Sequence, residues 1–389
     1  MASPSAEGDT TNNNSSKVNL LDLSASCLSS AIVAADQITS LACTTASDSD
    51  TLEIQENKKN ARLKIDGSFV TDADMAAQQI IVDALHKVSS GIRIVGEENE
   101  EEMRKRAITG HEEKLEGISK LALEEILIRY DREQKTIEVD DSDLPLSQPR
   151  KPDEESTSTD SIRVIEMEDF IVDTNRVSIF IDPLDATNSY AKGDHDPVSI
   201  LVAIILDQTP CFGVIGKPFG YPDQTLVLDT GSMVVYGGTL LGGAYIAGGD
   251  AIQRQKDNPD VLPRAVISQS RSKGIVQDFV SQLGETGIIH PEPLLVSGAG
   301  EKSLRIITGF QNEGLWFFPK GGTSLWDVAA SDALLRATGG RLTDKFGNDM
   351  DYSKSRTEAE NKDGVIACYD ESLHAECIRL FRDGSWEEA

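Results

Sequence analysis

Ser178-Ile179-Phe180-Ile181-Asp182-Pro183-Leu184-Asp185-Ala186-Thr187-Asn188-Ser189-Tyr190 is the stretch from which the rest of the chain can be read. The β-branched and aromatic run from Val177 to Ile181 predicts a buried strand. Pro183 has a fixed φ and no N–H, so the hydrogen-bonded ladder is expected to stop there. Asp182 and Asp185 then bracket a turn, and Thr187 follows. A helix is expected to open near Asp185, with that residue as its cap and the next N–H groups facing outward. Carboxylates beside bare amides suit a hard divalent cation that holds a phosphate. Asp-Pro-x-Asp alone reads equally well as a strand, a turn and an Asp cap, so the surroundings have to arbitrate.

The chain has 389 residues, 39% hydrophobic and 26% charged, enough for a large core and two tightly packed lobes. Its net charge of −28 makes nucleic-acid polymers and anionic membranes poor partners. A small anionic substrate then needs bound metal, or local Lys and Arg, to reverse the field at its site. Cys27, Cys43, Cys211, Cys368 and Cys377 form no C-x-x-C pair, which argues against a disulfide framework or structural zinc and for a reducing compartment. Met1 to Ser16 is rich in Ser and Asn and has no basic or apolar leader region, so it reads as a disordered tail. The longest apolar run, Ile200 to Leu206, is too short to cross a bilayer. A cytoplasmic protein without a membrane partner is expected, and nothing in the pattern selects an oligomeric state.

Along the chain, Leu20, Leu21, Leu23, Leu28, Ile32, Ile38 and Leu41 recur at helical spacing, predicting one or two packed helices. Thr71 is a candidate N-cap that places Asp74 in the first helical turn. Ile92 to Val95 reads as a short buried strand closed by Gly96-Glu97-Glu98. Glu112 to Tyr130 predicts an amphipathic helix, and Asp140 to Ser161 a mobile surface excursion rich in Pro, Ser, Asp and Glu. Ser199–Leu206 and Cys211–Ile215 read as paired strands, followed by strands near Thr225–Leu228 and Met233–Tyr236. From Arg264 onward strands and helices alternate, with helices over Lys273–Leu283, Glu301–Thr308, Trp326–Thr338 and Ser372–Phe381, which means α/β. The expected division is a tail over 1–16, an α+β lobe over 17–260 with 99–175 as a partly disordered insert, and an α/β lobe over 261–389.

Asp74, Glu97-Glu98, Asp182 with Asp185, and Asp327 all fall where strands end or helices open. Each alone has an ordinary reading as a cap or a solvated charge. Together they supply the oxygen ligands that a site for several magnesium ions needs. Val70-Thr-Asp-Ala-Asp74, Val95-Gly-Glu-Glu98, Ile181-Asp-Pro-Leu-Asp-Ala-Thr187 and Leu325-Trp-Asp-Val-Ala-Ala330 resemble, in order, the motifs of the lithium-sensitive, magnesium-dependent phosphomonoesterases of the inositol monophosphatase family. Gly213 to Phe219, Ser268 to Ser272, Ser297 to Lys302 and Gly339 to Asp344 are similar to its bisphosphate nucleotidase branch. Ala186, where most members have Gly, is similar to Golgi-type members. Those carry a membrane anchor, and none is expected here.

The resemblance implies a layered αβαβα sandwich of the sugar-phosphatase type. It implies two to three Mg²⁺ ions: one held by Glu97, Asp182 and the Leu184 carbonyl, a second by Asp182, Asp185 and Asp327, and a weaker third by Glu97 with Glu98. It also implies that Thr187, hydrogen-bonded to Asp74, accepts a proton from a metal-bound water that attacks the phosphorus. No covalent intermediate is needed, and the five histidines show no nucleophile–base spacing. Gly298, Gly300 and Lys302 are candidates to receive a second phosphate, and Ala186, Ser270, Arg271 and Lys273 to contact the remainder of a small phosphorylated substrate. The nucleotidases usually have His where Lys273 stands. Adenosine 3′,5′-bisphosphate is the implied substrate. Inositol 1,4-bisphosphate and inositol 1,3,4-trisphosphate are the alternative, because inositol polyphosphate 1-phosphatases share the Gly-Ala-Gly-x-Lys pattern and also carry a long insert between Glu97 and Asp182.

Overall fold

The computed structural model describes residues 16–47, 62–63, 69–104, 108–137, 170–221, 231–254, 261–384 and 386. The expected tail up to Ser15, the Asp140–Ser161 excursion and the strand near Thr225–Leu228 lie outside these residues. Its helices are α1 (Leu20–Ser47), α2 (Asp72–Val88), α3 (Glu100–Arg104), α4 (Glu112–Ile137), α5 (Thr187–Tyr190), α6 (Ile275–Glu285), α7 (Ala299–Thr308), α8 (Leu325–Ala337) and α9 (Glu371–Asp383). Two sheets separate three helical layers: α1, α2 and α4 outside the first sheet, α7 and α8 between the sheets, α6 and α9 outside the second. The expected αβαβα sandwich is what forms.

The first sheet runs in the order Gly243–Ile246, Met233–Gly238, Thr209–Lys217, Ser199–Leu206, Val177–Asp185, Arg93–Gly96. Its neighbours are antiparallel, except that edge strand Arg93–Gly96 runs parallel to Val177–Asp185. Period-2 alternation splits the central strand between two cores. Ile179 and Ile181 face α1 and α2, while Phe180 faces the inner layer. The second sheet runs Leu294–Val296, Arg264–Ser268, Glu313–Phe318, Val365–Cys368, Arg341–Thr343. Phe317 faces outward, stacked on Phe279 of α6 at 4.6 Å, while Trp316 and Phe318 line a cleft on the inner side. The inner core joins Leu201, Ala203, Ile215 and Val235 to residues of α7 and α8, so the packing runs unbroken across the boundary expected at residue 260.

α1 is a single helix of 28 residues, begun by Asn19, whose Oδ1 accepts from Leu21 N at 2.8 Å. Leu20–Cys43 is long and apolar enough to cross a membrane by length and composition, the one such helix among the described residues, and the sequence reading did not flag it. Burial accounts for its character: it lies between α2, α4 and the first sheet, with Leu21, Leu23, Leu28 and Ile38 fully covered. Its buried serines bond back to their own helix, as in Ser24 Oγ to Leu20 O at 2.8 Å. α8 lies directly on the first sheet. A Cβ at Gly213 would come within 2.5 Å of the Ala330 carbonyl, so this close approach requires glycine.

Two local expectations fail at the central turn. The strand does not stop at Pro183: it continues to Asp185, and the register slips between the pairs Asp182↔Leu201 and Asp185↔Ser199. Pro183 occupies that irregularity, where no ladder N–H is required. The following helix starts at Thr187, so Asp185 ends the strand instead of capping α5. The cap position falls to Ala186, which sits in the left-handed region at φ 66°, ψ 37°. Gly243–Ile246 forms the other edge strand of the first sheet.

Candidate active site

Asp74 is delivered by a capping box. Thr71 caps α2, its N–H donates to Asp74 Oδ2 at 2.7 Å, and its hydroxyl bonds the same oxygen. The free oxygen, Oδ1, accepts from the Thr187 hydroxyl at 3.0 Å. Thr187 Oγ1 also lies 2.8 Å from the Leu184 carbonyl. A hydroxyl has one proton, so it donates to one of these two oxygens at a time. Asp74 is fully buried, and that burial pushes its pKa up to about 7, against the Thr71 hydrogen bonds and reinforced by Glu98 and Glu97.

The other carboxylates converge on Asp182, whose Oδ1 accepts from Leu184 N at 3.1 Å. Glu97 and Asp327 lie beside Asp182. Burial holds the pKa of Asp182 well above the usual range, and Glu97, Asp185 and Asp327 raise it further. Asp327 occupies the third position of α8, with Ser324 N donating to its Oδ2 at 2.7 Å, and burial lifts it to about 7. Asp185 accepts from Ser199 Oγ at 3.0 Å and from Gly300 N at 2.8 Å. Burial raises Asp185 while Lys302 opposes the shift. Among the described residues no three acidic, imidazole or thiol groups are drawn into a closed ligand cage. The donor set still fits a divalent cation: hard oxygens only, gathered around the buried Asp182, whose ionisation its neighbours disfavour.

Glu97 and Glu98 stand at the end of the edge strand. Glu98 is clamped by Gln78, which accepts from Glu98 N and donates to Glu98 O, each at 2.8 Å. Gly96 makes room for that clamp, since a Cβ there would meet the Gln78 amide at 2.8 Å. Gln78 was not anticipated, although a buried amide one turn beyond Asp74 on an apolar face was a usable signal. Ser199 was missed as well, because it meets Asp185 only through the register slip.

A cleft of about 190 Å³ opens beside Asp185 and Asp327, with Ala186, Ser270, Arg271, Gly298 and Lys302 in its walls. Trp316, Phe318 and Thr323 also line it and had no local signature. Lys302 is buried, bonds the Gly298 carbonyl and lies 5.3 Å over the Trp316 ring. Burial lowers its pKa to about 8 against the pull of Asp185. Arg271 donates to Gly322 O at 2.9 Å and lies 4.7 Å over Phe318. Two expectations are corrected. Gly300 lies inside α7, and its amide is taken by Asp185 instead of facing a ligand. Lys273 is exposed in the turn before α6 and does not line the cleft.

Residues 124–384 match the model of the inositol monophosphatase family, a span that holds Asp182, Asp185, Thr187 and Asp327. This chain belongs to the inositol monophosphatase family. Asp74 and Glu97 lie before that span, and the fold brings them to it. The chain is 30% identical over 318 residues to 3′(2′),5′-bisphosphate nucleotidase 1 of Dictyostelium discoideum, covering 81% of this chain and 85% of that protein. It is 30% identical over 190 residues to the human protein of the same name, covering 49% of this chain and 56% of the relative, about half its length. In fold it is similar to CysQ from Bacteroides thetaiotaomicron, a bacterial member of the family, at a TM-score of 0.52 and 15% identity over 88% of this chain and 96% of that one.

Proposed function

We propose that this family member is a metal-dependent phosphatase that removes the 3′-phosphate of adenosine 3′,5′-bisphosphate, giving AMP and phosphate. The observation that carries the reading is the Thr187–Asp74 hydrogen bond set against the buried carboxylate of Asp182 and the half-buried ones of Asp185 and Asp327. The Dictyostelium relative, matched along most of both chains, supports the nucleotide substrate. Glu97, Asp182 and the Leu184 carbonyl would hold one Mg²⁺, Asp182, Asp185 and Asp327 a second, and Glu97 with Glu98 a third. When bound, such ions supply a water of lowered pKa and charge to stabilise the leaving oxygen. Asp74 orients the Thr187 hydroxyl, which would take a proton from the attacking water as it passes its own to Asp74 Oδ1. Ser199 and the Gly300 amide hold Asp185 in place. Arg271 and Lys302 put positive charge in the wall of the cleft, where a second phosphate would bind despite the acidity of the whole chain.

In this reading the protein is cytoplasmic, lithium-sensitive and without a membrane or nucleic-acid partner. Its five cysteines, all present as free thiols, suit a reducing compartment. Inositol 1,4-bisphosphate is the second reading, favoured by the long insertion between Glu97 and Asp182. Phosphate release from adenosine 3′,5′-bisphosphate, inositol 1,4-bisphosphate, inositol 1-phosphate and fructose 1,6-bisphosphate separates them, with the nucleotide expected to give the highest kcat/KM. A higher value for either inositol phosphate would move the assignment to that class. Undiminished turnover in EDTA would end the metal-dependent reading altogether.

A further inference from the structure

Between Asp351 and Asn361 the chain crosses from the second sheet to the edge of the first and meets both outer carboxylate segments through their backbones. Arg356 Nε donates to Gly96 O at 3.0 Å and to Glu97 O at 3.2 Å, and its Nη2 donates to the same Glu97 carbonyl. Three residues on, Ala359 O accepts from Leu325 N, the first residue of α8, at 2.8 Å. Glu360–Asn361 then pairs antiparallel with Thr323–Ser324, and Ser324 N is the donor that holds Asp327. The crossing segment is itself fixed. Ser355 and Glu358 form a capping box around the turn that presents Arg356. Arg93 donates to the carbonyls of Tyr352, Ser353 and Lys354. Tyr352 is buried edge-on to Phe180 at 5.4 Å, and its hydroxyl donates to Asp332 at 3.1 Å.

Arg93–Gly96 is an edge strand, so its end has no neighbour on the outer side to hold it. Glu98 is held by Gln78. Glu97 N donates to Ile181 O at 3.0 Å, and the Glu97 carbonyl is left to Arg356. With both backbone groups fixed, the Cα–Cβ direction from which the Glu97 side chain starts is set. We propose that Arg356 is a positioning residue for divalent-cation binding: it fixes the Glu97 backbone, and the 351–361 segment is a strap tying that edge to the start of α8. This inference rests on the metal-dependent reading above. A rigid fork onto two carbonyls is something guanidinium provides and ammonium does not.

The test is Mn²⁺ binding, followed by electron paramagnetic resonance of the free ion without substrate, in wild type, Arg356→Lys and Arg356→Gln. Arg356 is exposed, so both variants are expected to fold. Each should bind Mn²⁺ about tenfold more weakly, the scale for losing an outer-shell support of a metal ligand. The Mg²⁺ concentration for half-maximal turnover should rise by the same factor, while the substrate KM at saturating Mg²⁺ moves by less than about twofold. A lowered melting temperature with wild-type Mn²⁺ affinity would make Arg356 merely structural and overturn the inference. A wild-type protein that binds no Mn²⁺ would instead sink the metal-dependent reading on which it stands.

Discussion

Thr187 and Asp74 are separated by 113 residues, yet the Thr187 hydroxyl lies 3.0 Å from Asp74 Oδ1. The other Asp74 oxygen is saturated by Thr71, so Oδ1 has no competing donor from its own helix. Thr187→Ala is expected to lower kcat by roughly 10²- to 10⁴-fold, the range for losing a positioned proton acceptor. Thr187→Ser keeps the hydroxyl and should retain much of the activity. Steady-state kinetics at saturating Mg²⁺, with circular dichroism to confirm folding, make the comparison. Equal losses in the two variants would assign the pair to structure alone.

Ala186 bears a Cβ where the backbone is left-handed, which costs a non-glycine residue about 1–2 kcal/mol. Ala186→Gly removes that strain but frees the unfolded chain. The net expectation is a gain of about 0.5–1 kcal/mol in urea denaturation. A loss of stability would show that the methyl group packs favourably against the Gly298 turn.

Lys217 is fully buried, pairs with Glu301 at 2.9 Å and bonds the Asp196 carbonyl. Glu301 keeps a second partner, Arg305 at 2.8 Å. Lys217→Met should cost about 3 kcal/mol, the lower end for stripping one partner from a buried pair, because Arg305 remains. Chemical denaturation reads this directly, and a cost below about 1 kcal/mol would mean that Arg305 compensates fully.

His374 is buried against Thr343 at 2.9 Å, and burial, with Arg341 nearby, lowers its pKa from 6.5 to about 4. Between those values the unfolded chain binds a proton that the folded chain excludes. Its contribution is therefore complete above about pH 7 and is lost as the pH falls toward 4. His374→Gln should flatten the stability profile across that window, by at most about 3 kcal/mol. Parallel acid limbs for wild type and variant would exclude His374 from the titration.

Local rules made part of this site legible. Thr71 and Asp74 lie three apart, the central strand is β-branched, and Asp327 opens a helix, and each feature formed where its own neighbours direct it. Pro183 misled because its missing N–H marks a strand end only where a ladder bond is needed, and the register slip toward Ser199 removed that need. Gln78, Ser199 and Trp316 join the site through contacts between distant segments, which periodicity does not encode. Lys273 was placed in the site because the nucleotidases usually have His there, but the turn before α6 leaves it exposed. The Gly300 amide was read as a phosphate donor because the helix start was placed two residues late.

The inner face of the first sheet, formed by Leu201, Ala203, Ile215 and Val235, is covered by α7 and α8, which begin at Ala299 and Leu325. During synthesis that face has no cover until the last quarter of the chain has left the ribosome. The nascent protein thus holds an apolar sheet open for most of its translation, a period in which a chaperone has something to bind and an arrested chain something to aggregate with. Asp327 arrives in the same late segment, so the pocket's acidic charge is completed only when the sheet is sealed.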